Sequence, residues 1–173
     1  MWWRSSALIA ALFAGLAALA LAGCGFQPLY GGTTAGGAKL AEVMAAVEIA
    51  PIPGRVGQKL RNELIFTNTG GGYAAPTRYK LDIAIKESVT DELVQITGDA
   101  TGQVYQIEAT FKLINLSNGQ VLLDGKALSR AAYNRFQEIF ANVRARYDAE
   151  NRAARTISES IRTQVAAHLA NAA

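Results

Sequence analysis

Strict alternation of apolar and polar residues is the feature that most narrows the fold of this chain. Tyr79, Leu81, Ile83 and Ile85 alternate with Lys80, Asp82 and Lys86, and Tyr105, Ile107, Ala109, Phe111 and Leu113 alternate with Gln106, Glu108, Thr110 and Lys112. A period of two puts each apolar set on one side of a strand, so both segments predict strands with one dry and one wet face. Ser117-Asn118-Gly119 follows the second of them. Asn-Gly supplies the positive φ angles of a tight turn, so a further strand over residues 120–128 is expected to pair antiparallel with its predecessor. Val43, Ala45, Val47 and Ile49 alternate with Met44, Ala46 and Glu48 ahead of Pro51-Ile52-Pro53-Gly54, which predicts a first strand.

A dry sheet face needs a cover, and two stripes of helical period supply it. Val56, Leu60 and Leu64 recur every four residues among Arg55, Lys59, Arg61 and Glu63, and Gly70-Gly71-Gly72 stops the pattern. Ile157, Ile161, Val165 and Leu169 form the second stripe, on a long final helix that Asp148 is placed to cap. Between strand and helix, residues 133–147 carry Phe136, Phe140, Val143 and Tyr147, also at helical spacing. They either extend the last helix or form an irregular linker with aromatic plugs; the linker is the preferred reading. The order strand, helix, three strands, helix predicts an α+β two-layer sandwich, with two helices packed on one face of a four-stranded mixed sheet.

The first part of the chain reads differently. A short basic start, Met1-Trp2-Trp3-Arg4, precedes an apolar run over residues 7–22 that is short for a membrane span. Residues 1–23 therefore read as a secretory signal peptide. Leu21-Ala22-Gly23-Cys24 resembles the lipobox of bacterial lipoproteins, in which the Cys24 thiol is alkylated by diacylglycerol and becomes the mature N-terminus. The competing reading is an uncleaved anchor helix with an inert cysteine. Residues 24–41, rich in glycine, read as the lipidated N-terminus and a tether, and residues 42–173 as a single domain. Gly25 stands where aspartate commonly retains lipoproteins at the inner membrane, which favours the outer membrane.

Composition then excludes several kinds of chemistry. The formal charge of +3 falls to +2 once Arg4 is removed with the leader, too mild a balance to argue for nucleic acid. Cys24 is the only cysteine and His168 the only histidine, so no ligand set at zinc spacing exists and no metal or cofactor is expected. Ser158 and Ser160 lack a nucleophile-elbow motif, and Gly70-Gly71-Gly72 lacks the lysine of a phosphate loop. Glu87, Asp91 and Glu92 are read as solvated charges in a turn. The positive signal is arginine: seven lie from Arg130 to Arg162, against Glu138, Asp148, Glu150 and Glu159. Arginine meets phosphate with a bidentate fork, so Arg135, Arg144 and Arg146 beside Phe136, Phe140 and Tyr147 suit an amphiphile that carries phosphates and acyl chains. Arg152, Arg155 and Arg162 read instead as a solvated helix face with intrahelical pairs such as Glu159 with Arg162.

Leu21-Ala22-Gly23-Cys24-Gly25-Phe26-Gln27-Pro28-Leu29-Tyr30, the order of elements, and Phe111-Lys112-Leu113 before the Asn118-Gly119 turn together resemble the LPS-assembly lipoprotein family, LptE. The distinctive part is the start from Cys24 to Tyr30. Better-known members carry a basic residue in the loop preceding the third strand, and residues 96–103 contain none. The resemblance implies a lipoprotein anchored on the periplasmic side of the cell outer membrane. It also implies that the protein sits inside the β-barrel LptD, plugs its lumen, assists its assembly and binds lipopolysaccharide, with no catalysis. Two further classes stay open: a lipoprotein subunit of another envelope transport or assembly complex, and a lipid-anchored periplasmic enzyme.

Overall fold

The computed structural model describes Thr34 and residues 37–73, 75–94 and 100–172. Cys24, the leader and the Phe26–Tyr30 motif lie outside the described residues. The elements are α1 (Leu40–Ala45), β1 (Val47–Ile49), α2 (Gly54–Thr69), β2 (Tyr79–Val94), β3 (Ala100–Asn115), β4 (Val121–Asn134) and α3 (Ile139–Ala172). The sheet runs β1-β2-β3-β4, with β1 parallel to β2 and the other two pairs antiparallel. This is the expected mixed four-stranded sheet in an α+β fold, with a third, short helix.

The core forms where the two periodicities meet. Tyr105, Ile107, Ala109, Phe111 and Leu113 from β3 are buried with Leu81 and Ile83 from β2, against Leu60 and Leu64 of α2 and Ile157, Ile161, Val165 and Leu169 of α3. Apolar burial of this kind contributes about 1.5 to 3 kcal/mol per large side chain. Gly125 lets the layer close, because a Cβ there would sit 2.3 Å from Phe111 Cζ, so the ring lies where a side chain would have been. Gly70 ends α2 in the left-handed region, φ 61°, a conformation that costs a glycine nothing.

Several expectations are corrected. The strand expected over Val43–Ile49 is α1 followed by a strand of only three residues. Met44, assigned to the polar side of that strand, is 2% exposed, because Leu40, Val43 and Met44 together face inward, the i, i+3, i+4 spacing of one helix face. The turn at Asn118-Gly119 does join an antiparallel pair, but as a loop over residues 116–120 in which only Gly119 takes a positive φ. Asn115 Oδ1 accepts from the Ser117 amide at 2.9 Å and Asn118 Oδ1 from the Gln120 amide at 3.0 Å, so side chains close this longer loop. The fourth strand continues past Leu128 to Asn134, with Ala127, Ser129, Ala131 and Tyr133 buried in alternation. Small residues mask that period in sequence, since their burial comes from α3 packing on β4.

The last correction concerns the site. Residues 139–147 are helix, not linker, and Asp148 is no cap: it lies inside α3, where it accepts from Arg152 Nε at 2.8 Å, one turn on. Helix α3 holds 34 residues, which at about 1.5 Å each is roughly 50 Å of rod along the sheet. Its start is fastened by Asn142, whose Oδ1 accepts from the Phe136 amide at 2.6 Å and whose Nδ2 donates to the Phe136 carbonyl at 2.5 Å. Among the described residues no helix is long and apolar enough to cross a membrane.

Candidate functional site

The two helices do not cover the sheet equally. Helix α2 follows the three-residue β1, which pairs only with Tyr79 to Leu81 at the start of β2, whereas β2 itself continues to Val94. Beyond β1 and α2 the helix layer is α3 alone, which packs on β4 and β3 and whose Arg152 reaches the Ala132 carbonyl near the end of β4. Here the apolar stripe of α3 leaves the core: Ile139 is 82% and Phe140 76% exposed, with Val143 and Tyr147 also open, and Phe136, in the turn before the helix, is 45% exposed. Phe140, Val143 and Tyr147 are three and four residues apart and share one helix face. The same face continues into buried Glu150 and Ala154.

Glu150 is 4% exposed, and a buried carboxylate requires charged partners. Two arginines supply them. Arg146 Nε donates to Glu150 Oε1 at 2.8 Å, and Arg55 Nη2, from the start of α2, donates to Oε2. Arg55 also donates to Asn151 Oδ1 at 3.3 Å and lies 4.5 Å from the Tyr147 ring centre, a cation–π contact. This cluster walls a cavity of about 350 Å³ lined by Arg55, Val56, Glu87, Val143, Arg146, Tyr147 and Glu150. Glu87, on its wall, accepts from the Tyr105 hydroxyl at Oε2, 2.7 Å. Burial pushes the Tyr105 hydroxyl well above its ordinary pKa, reinforced by the Glu87 hydrogen bond and charge and opposed by Arg55 and Arg146. One row further out, Tyr133 donates to Gln103 Oε1 at 2.7 Å and Gln103 Nε2 donates to Asp91 Oδ1 at 2.6 Å. Tyr133 is likewise raised, chiefly by burial.

The residues singled out in sequence are thus divided between two jobs. Arg146 is held in the Glu150 cluster. Arg144, two positions away on α3, lies on a different helix face, so the two arginines do not act as one fork. Arg144 and Arg135 are exposed and carry no ion pair among the described residues, with Arg144 one turn from Phe140 on its own face and Arg135 in the turn between β4 and α3. Arg152 keeps its intrahelical pair and also donates to the Ala132 carbonyl at 3.0 Å, binding α3 to the margin of β4. No sequence pattern groups Arg55, Tyr147 as its platform, Glu87 and Glu150. Arg55 and Glu150 are 95 positions apart, and no local pattern joins them. Glu87, Asp91 and Glu92 lie on β2, not in a turn. Among the described residues no group of three or more His, Cys, Asp and Glu could hold a metal.

No family model matches the chain, and no curated protein matches it significantly. Solved structures do. A candidate lipoprotein from Caulobacter crescentus CB15 superposes with a TM-score of 0.63 at 20% identity, over 76% of this chain and 96% of that one. An NMR structure of lipoprotein B from Nitrosomonas europaea does so with a TM-score of 0.50 at 14% identity, over 70% of this chain and 81% of that one. At these identities the likeness establishes one thing, that the chain folds as these proteins do.

Proposed function

We propose that the protein is a lipid-anchored outer-membrane lipoprotein of the LPS-assembly type, which plugs and helps to assemble the LptD β-barrel and binds lipopolysaccharide during its export. The observation that carries this reading is the open apolar face at the start of α3, Phe136, Ile139, Phe140 and Val143, flanked by the exposed Arg135 and Arg144. Apolar side chains so placed suit acyl chains, and guanidinium groups beside them suit phosphates. Supporting it are the Leu21-Ala22-Gly23-Cys24 motif and a fold shared with proteins described as lipoproteins. On this reading the protein binds and positions and performs no reaction.

The test uses the tagged full-length chain purified from detergent-solubilised outer membranes. Co-elution of the LptD barrel is expected, and a different envelope partner would favour the alternative, a subunit of another transport or assembly complex. Lipopolysaccharide affinity is read in parallel on Arg135→Glu with Arg144→Glu. Arg146 is unsuitable because a glutamate there would face buried Glu150. The double variant should lose about tenfold or more in affinity, and added salt should weaken the wild type too. Undiminished lipid binding by the variant would remove the lipid assignment, and barrel co-elution would then be judged by itself.

A further inference from the structure

The sheet has two open margins, and the molecule treats them differently. Along β4, side chains of α3 occupy outward carbonyls: Gln164 Nε2 donates to Lys126 O at 3.2 Å and Arg152 Nη2 to Ala132 O at 3.0 Å. Covering an edge in this way blocks unwanted strand pairing. Along β2, cover stops early. The Leu81 carbonyl accepts from the Ala50 amide at 3.0 Å, and β1 ends at Ile49. Main-chain groups of alternate residues point to the same side of a strand. Those of Ile85, Glu87 and Val89 therefore point outward as Leu81 does, and none has a main-chain partner among the described residues.

The side chains of the same residues face the helix layer, where α2 no longer reaches. Glu87 lines the cavity with Val143 and Tyr147, and Val89, one pleat further along, is 39% exposed. Asp91 follows on that face. Glu87 and Asp91 accept hydrogen bonds from the neutral groups of Tyr105 and Gln103, and neither forms an ion pair among the described residues. Lys86 projects from the opposite face. Arg55 and Arg146, which line the same cavity as Glu87, are engaged by Glu150.

We propose that the outer edge of β2, from Ile85 to Asp91, is a strand-addition site for an extended segment of another protein whose inward side chains alternate basic, apolar, basic. Main-chain hydrogen bonds to Ile85, Glu87 and Val89 hold the segment. Its two cations meet Glu87 and Asp91, and the apolar residue between them covers Val89 and faces Val143 and Tyr147. This site does not rest on the lipopolysaccharide reading, since it uses neither Arg135 nor Arg144.

The test is binding of labelled synthetic peptides to the full chain in mild detergent, followed by fluorescence anisotropy. Three probes are compared: a repeating Arg-Thr-Val-Thr peptide, the same peptide with glutamate for arginine, and the arginine peptide N-methylated on alternate amides. The arginine peptide should bind about tenfold or more tightly than either control, the scale of one or two lost hydrogen bonds or charge pairs. Hydrogen exchange should slow at the amides of Ile85, Glu87 and Val89 when it binds. Glu87→Gln with Asp91→Asn should narrow the gap between the arginine and glutamate peptides, with no effect of either change on the N-methyl discrimination. Equal binding of the N-methylated peptide, protection elsewhere, or no binding at all would overturn the proposal. So would slow exchange of those three amides in the protein alone, which would mean that its own N-terminal segment or a second copy already fills the edge.

Discussion

The two ends of the sandwich are built from the same layers yet finished differently. At the end where β2 begins, β1, α1, α2 and the last turns of α3 enclose Leu40, Met44, Leu60, Leu64 and Leu169 almost completely. At the other end α3 extends beyond the second helix, and its stripe runs out from Ile157 through buried Glu150 to exposed Tyr147, Val143 and Phe140. One continuous helix thus serves as core in one half and as surface in the other. A folding domain has no stability reason to expose Ile139 and Phe140, so the first half is where stability resides and the second is where binding is to be sought.

The largest expected effect separates the halves directly. Leu60→Ala at the closed end should lose about 2 to 5 kcal/mol in denaturant unfolding, whereas Phe140→Gln at the open end should stay within about 0.5 kcal/mol. Comparable losses would mean that the open face is core after all.

The charge cluster at the boundary comes next. Arg55→Ala with Arg146→Ala strands Glu150 in the interior and should lose about 2 to 3 kcal/mol, less than the roughly 3 to 5 kcal/mol of a fully buried pair, because the two arginine side chains are themselves 45% and 54% exposed. Adding Glu150→Leu should return most of that loss. If the triple variant is no more stable than the double, the cluster is holding α2 to α3 by geometry as well as by charge.

The smallest effect is alkaline. Tyr105 has a folded pKa raised above its ordinary 10.0, and Tyr133 is shifted the same way. Above that ordinary value the unfolded chain loses these protons while the folded chain keeps them, so the unfolded state binds fewer protons and stability falls as pH rises. Thermal midpoints should decline above about pH 10, and Tyr105→Phe should make the decline shallower. A midpoint that rises there would contradict the buried, Glu87-bonded hydroxyl.

Much of the fold could be read from residue order. The alternation in Tyr79–Ile85 and Tyr105–Leu113 and the four-residue stripes of α2 and α3 stand as expected, because each is a local period matched to one buried face, and Gly70 stops α2 where expected; Asn118-Gly119 marks the right connection but not its tight form. The open aromatic and arginine run at the start of α3 is legible too, as composition and as apolar residues at helical spacing, although spacing alone does not choose the helix over the linker preferred there.

Tertiary structure alone decided the rest. Val43 to Ala46 fit strand and helix periods equally, and docking of Leu40 and Met44 chose the helix. Ala127, Ser129 and Ala131 carry little hydrophobic signal, and α3 lying on them made them strand. Arg55 meets Glu150 only because β1 ends after three residues and starts α2 beside α3. What a residue's own neighbours specify is visible in the chain; what depends on a partner 95 positions away exists only once the layers have packed.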